Sequence, residues 1–466
     1  MKKITLFILT ILIIFSTYGQ DITGDWNGIL KVQGMQLRVV FHITQTAEGY
    51  GATMDSPDQG AYGIPVTSTS YEESELLIKI SNLGVEYKGI LGVNDSISGT
   101  FTQMGYSFPL NLSREMPEKE AMNRPQEQVE PYAYYVEDVR FDNQEDHITL
   151  AGTLTMPQKD GQFPAVILIS GSGPQNRDEE VFSHKPFLVL SDHLTKNGIA
   201  VLRFDDRGTA ESTGDFTFAT SPDFASDVES ALKYLQTRKE INKKQIGLIG
   251  HSEGGIIAPM VAVSSKDISF IVLLAGTGIP GDELLLMQQE MILKANGSSE
   301  DDLHKAKTIT KGAYKIITEN QNTDSIKPEL TAFFKQNANN FPDALKPEGI
   351  SEDDLIALQV NQLTSPWMIF FMKYNPAPTL EKVKCPVLAI NGEKDLQVPA
   401  EVNLVAIEKA LKKGGNKNVT IKALPGLNHL FQECETGLPA EYSEIEQTIS
   451  PAALSEITDW ILGQVK

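Results

Sequence analysis

The residue types that could do covalent chemistry gather at Gly250-His251-Ser252-Glu253-Gly254-Gly255. A serine hydroxyl is a weak nucleophile at neutral pH and needs a base beside it. The spacing glycine–any–serine–any–glycine places the serine on a tight, strained turn from strand to helix. Side chains two residues away on either side would collide with the neighbouring elements, so glycine is required there. Both flanks suit such a turn: the apolar run Gln245–Gly250 precedes it, and Ile256, Ile257 and Ala258 follow it. A serine held this way, with a histidine and a carboxylate in reach, is equipped for acyl transfer.

Where a serine occupies such a turn, its acid and then its histidine follow it in the chain. Of the seven histidines only His304 and His429 come after Ser252. His304 lies in Asp301-Asp302-Leu303-His304-Lys305, which reads as a solvated helix face. His429 lies in a loop after the last apolar strand, at the end of the sheet where ligands bind. The acid belongs after the penultimate strand, and Asp395 fits the spacing, with Glu393 as the alternative. An oxyanion needs two preorganised N–H donors. The backbone of Glu253 is one candidate. Ser172, or Gly173 beside it, in Ser170-Gly171-Ser172-Gly173-Pro174 is the other. No lysine follows those glycines with P-loop spacing, which removes a phosphate-binding reading. Phe204-Asp205-Asp206-Arg207-Gly208 reads as a turn fixed by an Asp–Arg pair.

Positioning these residues calls for a parallel sheet. Strands are expected at Val136–Phe141, Ile148–Met156, Pro164–Ser170, Ile199–Phe204, Gln245–Gly250, Phe270–Ala275, Pro386–Asn391 and Val419–Leu424. Helical patterns, including Phe224–Leu235 and Ile256–Val263, lie between the later strands. Near-continuous apolar strands alternating with helices indicate an α/β sheet covered on both faces. The first two strands read as a hairpin at an antiparallel edge. The stretch from Ala275 to Pro386 is mostly helical and too long for a loop. It reads as a cap, at about residues 280–380, whose Trp367, Phe370 and Phe371 either line a substrate pocket or pack the cap itself.

Upstream the texture changes. Residues 21–113 carry short alternating runs (Trp26–Val32, Leu37–Ile43, Leu76–Ile80, Val85–Leu91, Ile97–Phe101) separated by turn residues, the signature of a small all-β barrel or sandwich. Trp26 reads as a core plug. Residues 114–131 are charged and proline-marked, a linker, and 132–466 form the α/β unit. Lys2 and Lys3, the apolar run Ile4–Phe15 and the small residues up to Gly19 read as a secretory signal peptide over 1–19, so the expected location is periplasmic or secreted. That run is too short to span a bilayer.

Composition narrows the partners. The net charge is −21, with 40 Lys and Arg against 61 Asp and Glu, which argues against nucleic acid. His and Cys show no clustered ligand spacing, so no metal and no cofactor is expected. The two cysteines, Cys385 and Cys434, fall at opposite ends of neighbouring strands and read as unpaired.

In Ile169–Asp178, Ala200–Ser212, Ile246–Pro259, Cys385–Asp395 and Leu427–Leu430, the chain resembles bacterial α/β-hydrolases of the serine aminopeptidase-like and EstD-type esterase group. The resemblance implies the α/β-hydrolase fold with a mostly parallel eight-stranded sheet. It also implies esterase activity on short acyl esters and the set Ser252, Asp395 and His429. Ala210 departs from the glycine common in that run. A peptidase using the same set, with Glu253 facing a substrate amine, is the first rival. The second is a binding protein whose β domain carries the function beside an inert hydrolase domain.

Overall fold

The computed structural model describes residues 21–465, apart from 33–34, 48, 60, 93, 104–105, 120–121, 339–340 and 342–350. The segment read as a signal peptide therefore lies outside the described residues.

The N-terminal strands are Gly24–Val32 (β1), Met35–Thr46 (β2), Gly49–Ser56 (β3), Ala61–Pro65 (β4), Ser68–Glu72 (β5), Glu75–Ile80 (β6), Val85–Leu91 (β7), Ser96–Gln103 (β8) and Tyr106–Ser113 (β9). Antiparallel pairing runs in sequence from β5 to β9, then through β1 and β2 to β3. The pair Tyr50↔Thr69 between β3 and β5 closes the ring, and β4 hangs on β3. The result is a barrel of eight strands. Alternation does the sorting: along β7, Val85, Tyr87 and Leu91 are buried while Lys88 and Ile90 are exposed. The axis is filled by side chains, with Trp26, Phe41, Tyr87 and Leu110 in one core. Gly99 makes room for the Tyr87 ring, because a Cβ there would lie 2.4 Å from the phenol oxygen. Trp26 is the expected plug; its indole N–H donates to the Ile22 carbonyl at 2.8 Å, and the Arg114 guanidinium lies over its ring.

The second sheet contains Tyr135–Asn143 (β10), Ile148–Met156 (β11), Phe163–Ile169 (β12), Ala200–Phe204 (β13), Ile241–His251 (β14), Phe270–Leu274 (β15), Val387–Gly392 (β16) and Val419–Leu424 (β17). Their order is β10-β11-β13-β12-β14-β15-β16-β17. From β13 onward every pairing is parallel, while β10 and β11 form the antiparallel edge. Pro186–Lys196 (α1) and Pro451–Gln464 (α11) bury one face. Ser221–Thr237 (α2), Gly254–Ser264 (α3) and Ala400–Lys413 (α10) bury the other. This is the α/β-hydrolase fold, and it explains why the central strands read as unbroken apolar runs: both faces are covered.

Between β15 and β16 stand Gly281–Ala295 (α4), Glu300–Glu319 (α5), Thr323–Asn337 (α6), Glu352–Leu363 (α7), Pro366–Lys373 (α8) and Ala377–Leu380 (α9). They hold a core of their own that includes Ile317, Leu330, Phe334 and Met372. Among the described residues no helix is long and apolar enough to cross a membrane. The charged segment after the barrel is not a free spacer throughout. Arg124 donates to the carbonyls of Ser443 at 2.7 Å and Ile445 at 2.9 Å, and the Gln126 amide donates to Ile449.

Candidate active site

The turn after β14 has the predicted strain. Ser252 has φ +53°, a left-handed conformation that costs a side-chain-bearing residue about 1–3 kcal/mol and persists only where its surroundings enforce it. Here the Ser252 amide donates to the Leu274 carbonyl of β15 at 2.8 Å. A Cβ on Gly254 would lie 2.2 Å from the Ile169 carbonyl oxygen, so only glycine lets α3 start this close to β12.

His429 and Asp395 meet from the loops after β17 and β16. The His429 Nδ1 lies 2.8 Å from Asp395 Oδ2, and both residues are buried. The other carboxylate oxygen accepts the amides of Gln397 at 2.8 Å and Val398 at 2.9 Å, so its orientation is fixed from both ends. This arrangement demands Nδ1–H on His429 and leaves Nε2 as the basic nitrogen. Glu393, the sequence alternative, does not line the cavity and has no bond to His429.

Ser252 and His429 line one cavity of about 290 Å³. Its apolar wall comes largely from the cap: Leu284, Leu285, Trp367 and Phe371, joined by Val398 and Leu430. Of the three predicted cap aromatics, Trp367 and Phe371 stack on each other at the cavity, with ring centroids 5.0 Å apart. Phe370 points elsewhere and stacks on Tyr374. Helical geometry accounts for this, since consecutive residues on α8 cannot share a face.

Ser172 lines the cavity and Gly173 does not. The Gly171 amide is taken up by Glu179 Oε1 at 2.7 Å. The loop is braced from below by Asp206, which accepts from the Ser170 hydroxyl at 2.8 Å and the Gln175 amide at 2.9 Å. Burial drives the Asp206 carboxyl well above the usual carboxylate range. At the start of α3 the Glu253 amide is one of the donors that a helix N-terminus leaves without an intrahelical acceptor. The Glu253 side chain does not reach the cavity. It is buried and accepts from Ser221 Oγ at 2.6 Å and Trp367 Nε1 at 2.8 Å, and burial raises its pKa. Its carboxyl lies behind the cavity wall, bonded to Trp367 and Ser172, which do line the cavity.

Sequence reasoning passed over Glu179, Gln288, Gln397 and Tyr442, all of which line the cavity. No periodicity or motif marks them, because each arrives from a different loop or from the cap. The Asp–Arg pair expected inside the turn after β13 does not form. Arg207 instead reaches Asp227 on α2 and Asp146 at 2.7 Å, and Asp205 takes Arg177 at 2.6 Å. In a tight turn adjacent side chains diverge, so each finds its partner on another element. Cys385 and Cys434 are free. Among the described residues no group of three or more His, Cys, Asp or Glu side chains is arranged to hold a metal.

The family pattern described as X-Pro dipeptidyl-peptidase (S15 family) matches residues 146–420, more than half of the chain. The chain belongs to that family. Esterase EstD of Thermotoga maritima is 26% identical over 332 residues, covering 70% of this chain and 69% of its own. Among solved structures, Est1E of Butyrivibrio proteoclasticus with ferulic acid bound is 17% identical with a TM-score of 0.41, covering 70% of this chain and 99% of that one. The Pyrococcus furiosus esterase Pf2001 is likewise 17% identical with a TM-score of 0.41, covering 71% and 93%. Membership of the S15 family makes this chain a hydrolase, and His429 falls just beyond the matched segment.

Proposed function

We propose that the protein is a serine esterase that cleaves short-chain carboxylic esters through an acyl-enzyme on Ser252. The observation that carries this reading is the strained Ser252 sharing a cavity with a histidine whose Nδ1 is held by a buried, twice-braced carboxylate. His429 Nε2 takes the proton from Ser252 as Oγ adds to the ester carbonyl. The amides of Glu253 and Ser172 receive the oxyanion. His429 then returns the proton to the departing alcohol. Water repeats the sequence on the acyl-enzyme and frees the acid. Asp395 holds the imidazole in its tautomer and orientation.

An ester fits the cavity better than a peptide with a free amino end. Among the described lining residues the carboxylates are limited to Glu179, which already binds His251 and the Gly171 amide. An α-ammonium group would find no free countercharge there and would pay for desolvation. The small volume and the Trp367–Phe371 wall favour a short apolar acyl group. The family's name keeps X-Pro peptide cleavage as the competing reading.

The test is fluorophosphonate labelling of the purified protein and of Ser252→Ala, followed by turnover of p-nitrophenyl acetate against an aminoacyl-proline p-nitroanilide. Labelling that vanishes in the variant, with the ester turned over faster, is the expected result. Faster anilide cleavage would replace the esterase reading with the peptidase one. An unlabelled wild type without turnover would overturn both.

A further inference from the structure

A buried ion pair beside the candidate triad joins its parts. Glu179, on the loop after β12, and His251, immediately before Ser252, are only 3% and 7% exposed. Glu179 Oε1 accepts the Gly171 amide at 2.7 Å and lies 2.9 Å from His251 Nδ1. His251 Nε2 lies 3.0 Å from the carbonyl oxygen of His429, and the two imidazole rings are 4.8 Å apart. Both nitrogens of His251 thus face acceptors. A neutral imidazole would turn a lone pair on one of those oxygens, so the ring fits only as an imidazolium donating twice.

We propose that Glu179 and His251 are positioning residues, a charged pair that fastens the Ser172 loop and the His429 backbone to the Ser252 turn. Resting on the assignment of Ser252 and His429 above, this explains how three loops from different strands hold one geometry. The charged groups facing His251 favour its cationic form. Glu179 bonds it directly, Asp395 lies behind His429, and their attraction outweighs the burial that opposes charge. Removing the Glu179 charge takes away the strongest attraction that holds the second proton of His251 against burial. One of its two bonds then turns repulsive, and either the Ser172 loop or the His429 backbone comes loose. Reacting atoms misplaced by about 1 Å can lose about 10²-fold in rate.

The first measurement is ¹⁵N NMR of the resting, histidine-labelled full chain at neutral pH, with His251 assigned by His251→Gln. Two protonated nitrogens on His251, reverting to a neutral ring in Glu179→Gln, are expected. A neutral His251 in the wild type overturns the proposal whatever the enzyme hydrolyses. The second is p-nitrophenyl ester kinetics. Glu179→Gln fills the same volume and keeps an acceptor for Gly171, so a packing role alone would leave kcat unchanged. The proposal expects kcat about 10²-fold lower with KM within about threefold. Wild-type kcat in a folded Glu179→Gln overturns it. Because the NMR arm needs no turnover, failure of the esterase reading and failure of this one are distinguishable.

Discussion

Asp395→Asn is the most informative single substitution at this site, because the structure dictates which way the new amide must face. One carboxylate oxygen accepts two backbone N–H groups, from Gln397 and Val398. Placing the amide NH2 there would set three donors against one another inside the protein, so the carbonyl must occupy that position. The NH2 is then forced toward His429 Nδ1, where Oδ2 stood at 2.8 Å. Facing a donor, Nδ1 gives up its proton, which moves to Nε2. The nitrogen that must accept the serine proton is then already protonated. Loss of the correct tautomer at such a triad lowers kcat by about 10⁴-fold, or about 5.4 kcal/mol at 1.36 kcal/mol per decade. The fold should hardly notice, since Asn keeps the two amide bonds. Asp395→Ala, by contrast, strands two buried donors at about 1–3 kcal/mol each. The assay is p-nitrophenyl acetate turnover beside thermal melting for both variants. An Asp395→Asn protein within tenfold of wild-type kcat would refute the assigned role of Asp395. A lowered Tm in that variant would refute the argument for the amide's orientation.

Three further outcomes are expected. Gly254→Ala drives a Cβ to 2.2 Å from the Ile169 carbonyl, a backbone atom that cannot rotate away. It should cost about 1–3 kcal/mol in urea unfolding and displace the loop carrying Ser172. Trp367→Phe keeps the ring stacked on Phe371 but removes the indole N–H from the buried Glu253 carboxyl, a hydrogen bond worth about 0.5–1.5 kcal/mol. Lower Tm and higher KM for the ester are expected, and an unchanged KM would detach Trp367 from substrate binding. His184 is buried between Thr448 Oγ1 and the Tyr442 carbonyl, and burial lowers its pKa from 6.5 to about 4. As pH falls below 6.5 the unfolded chain takes up a proton there before the folded one does. The folded state therefore loses about 3 kcal/mol between pH 6.5 and 4. Unfolding free energies of wild type and His184→Asn should converge over that window, and parallel pH curves would disprove the assignment.

The chemistry was legible wherever it depends on local backbone geometry. The glycines around Ser252 are demanded because a Cβ would lie 2.2 Å from the Ile169 carbonyl at Gly254 and 2.0 Å from the Gly254 carbonyl at Gly250, and such demands appear as residue types at fixed spacing. Chain order and elimination singled out His429, spacing favoured Asp395 with Glu393 left as the alternative, and the structure brings His429 and Asp395 to 2.8 Å. The eight strands of the α/β sheet were legible too, because burial on both faces makes them unbroken apolar runs. The barrel was less so. Strands β3 and β5 escaped notice because Gly49–Ser56 and Ser68–Glu72 are dominated by small and polar residues, and β4 and β9 escaped as well. Whether the domain was a barrel or a sandwich turned on a single closing pair, Tyr50↔Thr69, between strands that share no sequence signal.

What the sequence by itself determined was the set of positions where a backbone must be strained, a strand doubly covered or a nucleophile exposed, since these are constraints a residue type satisfies alone. Only the tertiary structure decided where side chains with free choice would go. It set Glu253 against the back of the Trp367 wall, sent Arg207 to Asp227 instead of its neighbour, kept Phe370 from the cavity wall and set Glu179 against His251. A charged or aromatic side chain selects the partner that best offsets its desolvation, and here those partners lie on other elements, where no local pattern in the chain can announce them.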